Sequence, residues 1–173
     1  MKMIKSLQKL GVLRFIWNVF DTLMPSFIKT IYFNFHYLPF SQARKLPIKL
    51  RHCSIRRQKG EVVIDSSEVT YGMIEIGHKM NPWCPKRRCT LNLNGGKIIF
   101  HGRSFFGQGA CITVLKNGLL EVGDRSTFAS SMILEVWNKV VFGAKVHAGW
   151  GVTIVDTDLA HPLNASMTIF ESI

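Results

Sequence analysis

Acidic residues are scarce in this sequence. The 173 residues include 11 Asp and Glu against 22 Lys and Arg, which gives a formal net charge of +11. Only 19% of the residues are charged and 47% are hydrophobic, a composition that argues against disorder as the overall state. The basic excess lies before residue 90. We therefore expect one basic surface that favours an anionic partner, such as a phosphate-rich cofactor, a membrane surface, an acidic glycan or nucleic acid.

Cysteine is also scarce. The chain has four cysteines, at positions 53, 84, 89 and 111, and they do not form the dense pattern of a disulfide framework. We interpret them as reduced thiols in a cytoplasmic protein. Cys84 and Cys89 enclose Pro-Lys-Arg-Arg, but no second pair completes a zinc site. The sequence therefore predicts no metal.

Long uncharged apolar runs are missing as well. Arg14, Asp21 and Lys29 interrupt the apolar stretch between residues 10 and 35, so no run approaches the roughly 18 residues of a membrane span. No small-residue cleavage site follows the first apolar residues, which excludes an obvious cleavable signal peptide. These absences favour a cytoplasmic location.

Residues 1–33 carry apolar side chains at helical spacing, including Phe27 and Ile31. We predict N-terminal amphipathic helices, with a break near Asp21 and Pro25. Two interpretations of the apolar face stay open. It packs on the later domain or on a second copy of the chain, or it makes a peripheral contact with the inner face of the membrane, since basic residues accompany it.

The pattern of residues changes further along the chain. Residues 34–60 are predicted to form a basic connector, in which Pro39 and Pro47 limit helix and a helical turn across Ser41 to Lys45 fits. Residues 61–173 form the second predicted structural region, where short β-rich runs are each followed by glycine or a polar turn. These runs are 62–64, 73–76, 97–100, 119–122 and 140–142.

Three segments of this region align as a repeat in which every sixth position is apolar. The apolar positions are 100, 106 and 112; 122, 128 and 134; and 142, 148 and 154. A period of six suits a short strand followed by a tight corner, so that three sides close a triangular coil and stacked coils bury one another. The steps of 22 and 20 residues between segments exceed the expected length of about 18, so we place extra residues such as Lys116-Asn117-Gly118 at corners.

These repeats resemble those of the hexapeptide-repeat acyltransferases, most closely the O-acetyltransferases that modify sugars and surface polysaccharides. Residues 32–48 are similar to the lead-in of polysaccharide-modifying members, and residues 152–163 are similar to the loop that ends in a His-Pro pair. The resemblance implies a mainly β protein, a left-handed parallel β-helix preceded by an N-terminal helical segment. The handedness comes from the resemblance alone, because parallel crossovers are generally right-handed.

The resemblance also implies a chemistry, the transfer of an acetyl group from acetyl-CoA to a hydroxyl of a sugar or glycan. His161 would be the general base that deprotonates the hydroxyl. Asp156 and Asp158 are the nearby carboxylates, and they are assigned with Trp150 to acceptor binding, although Trp150 is equally compatible with a surface aromatic. The residues that bind the cofactor are not identified, no metal is required, and His101 and His147 receive no catalytic role.

Other interpretations remain. Family members continue with further coils that line the acetyl-CoA groove, whereas this sequence ends at Ile173, so we expect that groove to be incomplete. The alternative function is therefore a non-catalytic or truncated β-helix fragment that acts only in assembly. The family generally forms homotrimers, and we expect the same here. A nucleic-acid-binding module would rest only on the charge and on the basic residues near Trp83, and no binding motif accompanies them.

Overall fold

The computed structural model describes residues 26–80 and 87–157, which form two helices and fourteen strands. Helix α1 spans Ser26–Tyr37 and helix α2 spans Phe40–Ala43. The strands follow in chain order: β1 Ile48–Leu50, β2 Cys53–Gln58, β3 Glu61–Ile64, β4 Ile74–His78, β5 Cys89–Leu93, β6 Lys97–Phe100, β7 Ser104–Gly107, β8 Cys111–Val114, β9 Leu119–Val122, β10 Ser126–Phe128, β11 Ile133–Val136, β12 Lys139–Phe142, β13 His147–Ala148 and β14 Thr153–Val155.

The strands form three parallel sheets. The first sheet has the order β1-β4-β7-β10-β13, the second β2-β5-β8-β11-β14 and the third β3-β6-β9-β12. The chain therefore visits the three sheets in turn, and each strand pairs with the strand three places before it. We call three consecutive strands, one from each sheet, a round. The prediction of a mainly β protein with parallel strands behind a short helix is confirmed.

The register of the strands confirms the alignment of the repeats. The nine predicted apolar positions fall into three columns, one in each sheet: Phe100, Val122 and Phe142; Phe106, Phe128 and Ala148; Ile112, Leu134 and Ile154. In the first sheet the fully buried rings of Phe106 and Phe128 stack with centroids 4.6 Å apart. The predicted corner insertion is also found, since residues 116–118 connect β8 to β9.

Small residues beside the apolar columns allow successive rounds to approach each other. A Cβ atom at Gly123 would overlap the carbonyl carbon of Gly143 in the following round. Gly123 comes directly after Val122 of the third-sheet column. The glycine is therefore required by the close stacking of backbones, which explains why a small residue follows the apolar position in the repeat.

Helix α1 turns its polar side towards the sheets. The side-chain amide of Asn34 donates to the carbonyl of Ile48 over 2.6 Å, and its oxygen accepts from the Ile48 amide over 3.1 Å. Thr30 Oγ1 accepts from the Leu50 amide over 3.0 Å, and Lys29 Nζ donates to the Cys53 carbonyl over 2.9 Å. Because β1 and β2 are end strands of their sheets, these side chains satisfy backbone groups that lack a strand partner.

Several large apolar side chains of α1 face outward, whereas Phe33 is buried in the core. Phe27 is 64% exposed and Phe35 is 48% exposed, while Lys29, Thr30 and Asn34 are buried. For Phe27 the predicted packing on the later domain is therefore not observed. Helix α1 also continues to Tyr37. The range 34–60, which was predicted as a connector, therefore contains the end of α1 together with α2, β1 and β2. Most of the predicted N-terminal helices lie outside the described residues.

Candidate functional site

The predicted site lies only partly within the described residues. His161 and Asp158 lie outside the described residues, whereas Trp150 and Asp156 are within them. Trp150 stands at the corner between β13 and β14 with 63% of its surface exposed. Its side chain is therefore accessible to a ligand or to another protein.

Asp156 is held by the preceding round. One carboxylate oxygen accepts from the amide of Trp137 over 2.6 Å, and the other accepts from the amide of Asn138 over 2.7 Å. Both amides belong to the corner between β11 and β12. Hydrogen bonds from backbone amides to a carboxylate are charge-assisted and stronger than neutral ones. Asp156 therefore fixes the point at which the chain leaves β14.

Asp156 also interrupts a column of core residues. Leu93, Val114 and Val136 occupy equivalent positions in successive rounds of the second sheet, and all three are buried. Glu135 pairs with Val155, so Asp156 follows at the position where an apolar residue would continue the column. A break in a repeating pattern often marks a functional position. Each oxygen keeps a second lone pair, so the carboxylate can accept a further hydrogen bond from an imidazole or a sugar hydroxyl.

The end of the sheets that carries these residues is open among the described ranges. A Cβ atom at Gly143, Gly149 or Gly151 would meet no described atom within 4 Å. Val141 is 54% exposed and belongs to β12, the end strand of the third sheet. The predicted site therefore lies at an edge where the described residues leave backbone and apolar side chains accessible.

The structure brings together a cluster that sequence reasoning missed. His101 Nδ1 lies 3.3 Å from Asp65 Oδ2, and His101 Nε2 lies 3.4 Å from Glu121 Oε2. Lys139 Nζ lies 3.1 Å from Glu121 Oε1. The hydrogen bond from Lys139 has the largest effect on the pKa of Glu121 and lowers it, and the hydrogen bond from His101 lowers it further. The strand register could have indicated that Asp65 and His101 are neighbours, because they directly follow the paired positions 64 and 100.

The His101 cluster borders a polar cleft but is poorly arranged for catalysis. The cleft has a volume of about 750 Å³, and Arg103 and Asp124 contribute to its lining. A general base needs a free ring nitrogen within hydrogen-bond reach of the proton that it removes. Because both nitrogens of His101 face carboxylates, the ring is better suited to bridge neighbouring rounds.

The described residues also include three cysteines. Cys53, Cys89 and Cys111 are free thiols, and burial raises the pKa of Cys89, which disfavours the reactive thiolate. Cys84 lies outside the described residues. Within residues 26–80 and 87–157 no three His, Cys, Asp or Glu side chains are grouped as a metal site would require. No helix in these ranges has the length and apolar character needed to cross a membrane.

Comparisons with known proteins identify no relative. No family model matches the chain, and neither the curated proteins nor the solved structures include a significant match. The acyltransferase resemblance therefore depends on the repeats, on the lead-in of residues 32–48 and on the motif of residues 152–163.

Proposed function

We propose that the chain is a left-handed parallel β-helix acyltransferase, which transfers an acetyl group from acetyl-CoA to a hydroxyl of a sugar or surface polysaccharide. The main support is the repeat register, because all nine apolar positions at six-residue spacing pair with equivalents in a neighbouring round. Three short sides per round are the geometry in which this repeat places one apolar residue on each side. The homotrimer implied by the resemblance belongs to the same proposal.

His161 acts as the general base in this proposal. Its neutral imidazole accepts the proton of the acceptor hydroxyl while the oxygen attacks the thioester carbonyl. The tetrahedral intermediate then collapses, the carbon–sulfur bond breaks, and the proton passes from the imidazolium to the sulfur of CoA. The products are the O-acetylated sugar and free CoA, so no oxidant or metal is needed.

Asp156, Asp158 and Trp150 support the acceptor in this proposal. The two hydrogen bonds that Asp156 accepts from the preceding round hold the start of the segment that leads to His161. Its remaining lone pairs are available to the acceptor or to the imidazole. The exposed indole of Trp150 offers an apolar face on which a sugar ring can stack.

A thiol-release assay with acetyl-CoA and a panel of glycans tests the proposal. Removing a general base typically slows a reaction by about a hundredfold or more, so His161→Ala is expected to lose at least that much in kcat. His147→Ala is the matched control, since His147 is exposed on β13 and has no assigned role. Retained activity in His161→Ala would contradict the site assignment, and selective loss in His101→Ala would move the site to the His101 cluster.

The open end of the sheets favours a second candidate, a β-helix that serves only in assembly. Exposed Val141 and Trp150, together with the unpaired edges of β12, β13 and β14 in the described residues, are suited to contact another protein. A thermal shift with CoA separates the two candidates. An acyltransferase with a working cofactor groove is stabilised by CoA, whereas an assembly module shows no shift.

A further inference from the structure

Helix α1 and the start of α2 present an apolar surface to the outside. We define the outer apolar face as Phe27, Ile28, Phe35 and Phe40, which are 64%, 49%, 48% and 72% exposed. Phe35 and Phe40 contact each other, with ring centroids 6.1 Å apart. The side of α1 that faces the sheets carries the polar residues Lys29, Thr30 and Asn34 as well as the buried Phe33. The outer apolar face therefore leaves four large apolar side chains exposed among the described residues, which is typical of a contact surface.

A basic groove adjoins this face. Its volume is about 480 Å³, and Lys49, Arg51, His52 and Lys79 contribute to its lining. Among the described residues, no acidic side chain lines the groove. Arg51 is paired with the buried carboxylate of Glu75, so the two lysines supply the charge that a ligand would meet.

Aromatic side chains join the groove to the outer apolar face. Phe27 belongs to both, and Tyr71, 63% exposed, lies on the groove wall. Lys49 Nζ stands 5.6 Å from the centre of the Tyr71 ring. Exposed aromatic rings beside lysines are typical of surfaces that sit at the boundary between lipid headgroups and acyl chains.

These observations identify the kind of partner. An apolar face alone would suit any hydrophobic surface, but the adjoining cations require negative charge next to it. A second copy of the chain that docked through this same surface about a two-fold axis would bring the two basic grooves together, which repulsion disfavours. A bilayer with anionic lipids supplies apolar depth and phosphates side by side. We propose that the outer apolar face and the basic groove dock this protein peripherally on an anionic bilayer.

This surface is separate from the region of Trp150 and Asp156. The groove and the apolar face are formed by α1, α2 and the first two rounds, with Gln108 from the third round, whereas Trp150 and Asp156 belong to the last described round. The membrane proposal therefore does not rest on acetyl transfer. Failure of either proposal leaves the other unaffected.

Co-sedimentation of the full chain with vesicles tests the docking. Phosphatidylcholine vesicles with and without phosphatidylglycerol are compared at low and high salt. We expect binding only to the anionic vesicles, with a loss at high salt. In Lys49→Gln with Lys79→Gln the partition coefficient should fall roughly fivefold for each lysine, or about 25-fold for the pair. In Phe27→Ser with Phe35→Ser it should fall by about tenfold or more.

Matched variants on other surfaces are the controls. Lys116→Gln with Lys145→Gln removes the same charge from exposed corners that do not line the groove. Ile133→Ser with Val141→Ser removes exposed apolar side chains outside the outer apolar face. Both control variants are expected to bind within about twofold of the parent chain. Circular dichroism confirms that each variant is folded.

Three outcomes overturn the proposal. Equal sedimentation with neutral and anionic vesicles would remove the role of the groove. Parent-like binding by both groove and apolar-face variants would assign membrane contact to other residues, such as the basic residues within 1–25. Absence of sedimentation would exclude the bilayer, and a changed oligomeric state of the Phe27→Ser, Phe35→Ser variant would then identify a second copy as the occupant.

Discussion

The two ends of the stacked sheets differ in how their end strands are covered. At the first end, the side chains of Lys29, Thr30 and Asn34 bond to backbone groups of β1 and β2. At the last end, the described residues place nothing over Gly143 or Gly149. An exposed strand edge invites pairing with another chain, and covering it with a helix is a common remedy.

The difference assigns different roles to the residues at the two ends. At the covered end, Lys29, Thr30 and Asn34 satisfy backbone groups of β1 and β2, so these three side chains are committed to the fold. The open end carries the predicted acceptor residues Trp150 and Asp156, and its accessible edge leaves room for a substrate or a partner. Three experiments test this contrast, and they follow from the largest expected effect to the smallest.

Removal of Asn34 should cost the most. The side chain is buried and its amide bonds with both the amide and the carbonyl of Ile48. Asn34→Ala leaves these backbone groups unsatisfied, and we expect the free energy of unfolding to fall by about 3 kcal/mol. Urea denaturation measures the loss. Asn138→Ala, at an exposed residue of the open end, is the control and should change stability by less than about 0.5 kcal/mol. Similar losses in both variants would contradict the contrast.

A pair of glycine substitutions compares a covered round with the open one. Gly123→Ala forces a Cβ against the backbone of Gly143, and we expect a loss of about 2 kcal/mol. Gly143→Ala meets no described atom, so it should be nearly neutral. Thermal unfolding of both variants provides the measurement. A comparable loss at Gly143 would reveal that the last round is covered in solution, either by other residues of the chain or by another copy.

The ion pair between Glu121 and Lys139 links the covered strand β9 to the end strand β12. The pKa of Glu121 is lowered in the folded state from its ordinary value of 4.5, so its carboxylate contributes stability above that pH. This contribution is lost as the pH falls through the lowered pKa. Glu121→Gln should therefore show a weaker loss of stability on acidification than the parent chain, measured by urea midpoints across the acid range.

The control for this experiment is Glu61→Gln. Glu61 pairs with a single lysine, Lys97, and 60% of its side chain is exposed, so its removal should leave the pH dependence close to that of the parent chain. If Glu121→Gln also followed the parent curve, the contacts with Lys139 and His101 would contribute nothing to the link between β9 and β12.

Much of the strand arrangement was predictable because the repeat reports directly on the core. The runs 97–100 and 119–122 coincide with β6 and β9, and the apolar columns follow the predicted alignment. Phenylalanine at positions 106 and 128 departs from the usual aliphatic residue, but the register still holds because the two rings stack. A period of six survives such substitutions because burial, rather than residue type, maintains it.

The orientation of α1 could not be predicted in the same way. Helical periodicity identifies an apolar side, and the usual inference is that this side faces the core. Here the unpaired edge of β1 competes with the core for contact with the helix. The polar residues Thr30 and Asn34 form hydrogen bonds with that edge. The His101 cluster was missed for a related reason. Its partners Asp65 and Glu121 are distant in sequence and become neighbours only through the stacking of rounds.

The candidate site was predictable only in part. Asp156 was selected because of its place near His161, and the structure adds its bonds to the amides of Trp137 and Asn138. No sequence pattern indicated these bonds, because backbone amides carry no residue-specific signal. The catalytic assignment of His161 stays a prediction, since that residue lies outside the described ranges.

The pairing of each strand only with its neighbours in the same sheet has a consequence for folding. The register links positions such as 104 and 126 or 133 and 153, so most closures span short loops with a modest entropic cost. Folding can then nucleate in one round and propagate to the next, as in other repeat proteins. Because α1 blocks the edge of β1, a further round can be added to the described strands only beside β12, β13 and β14.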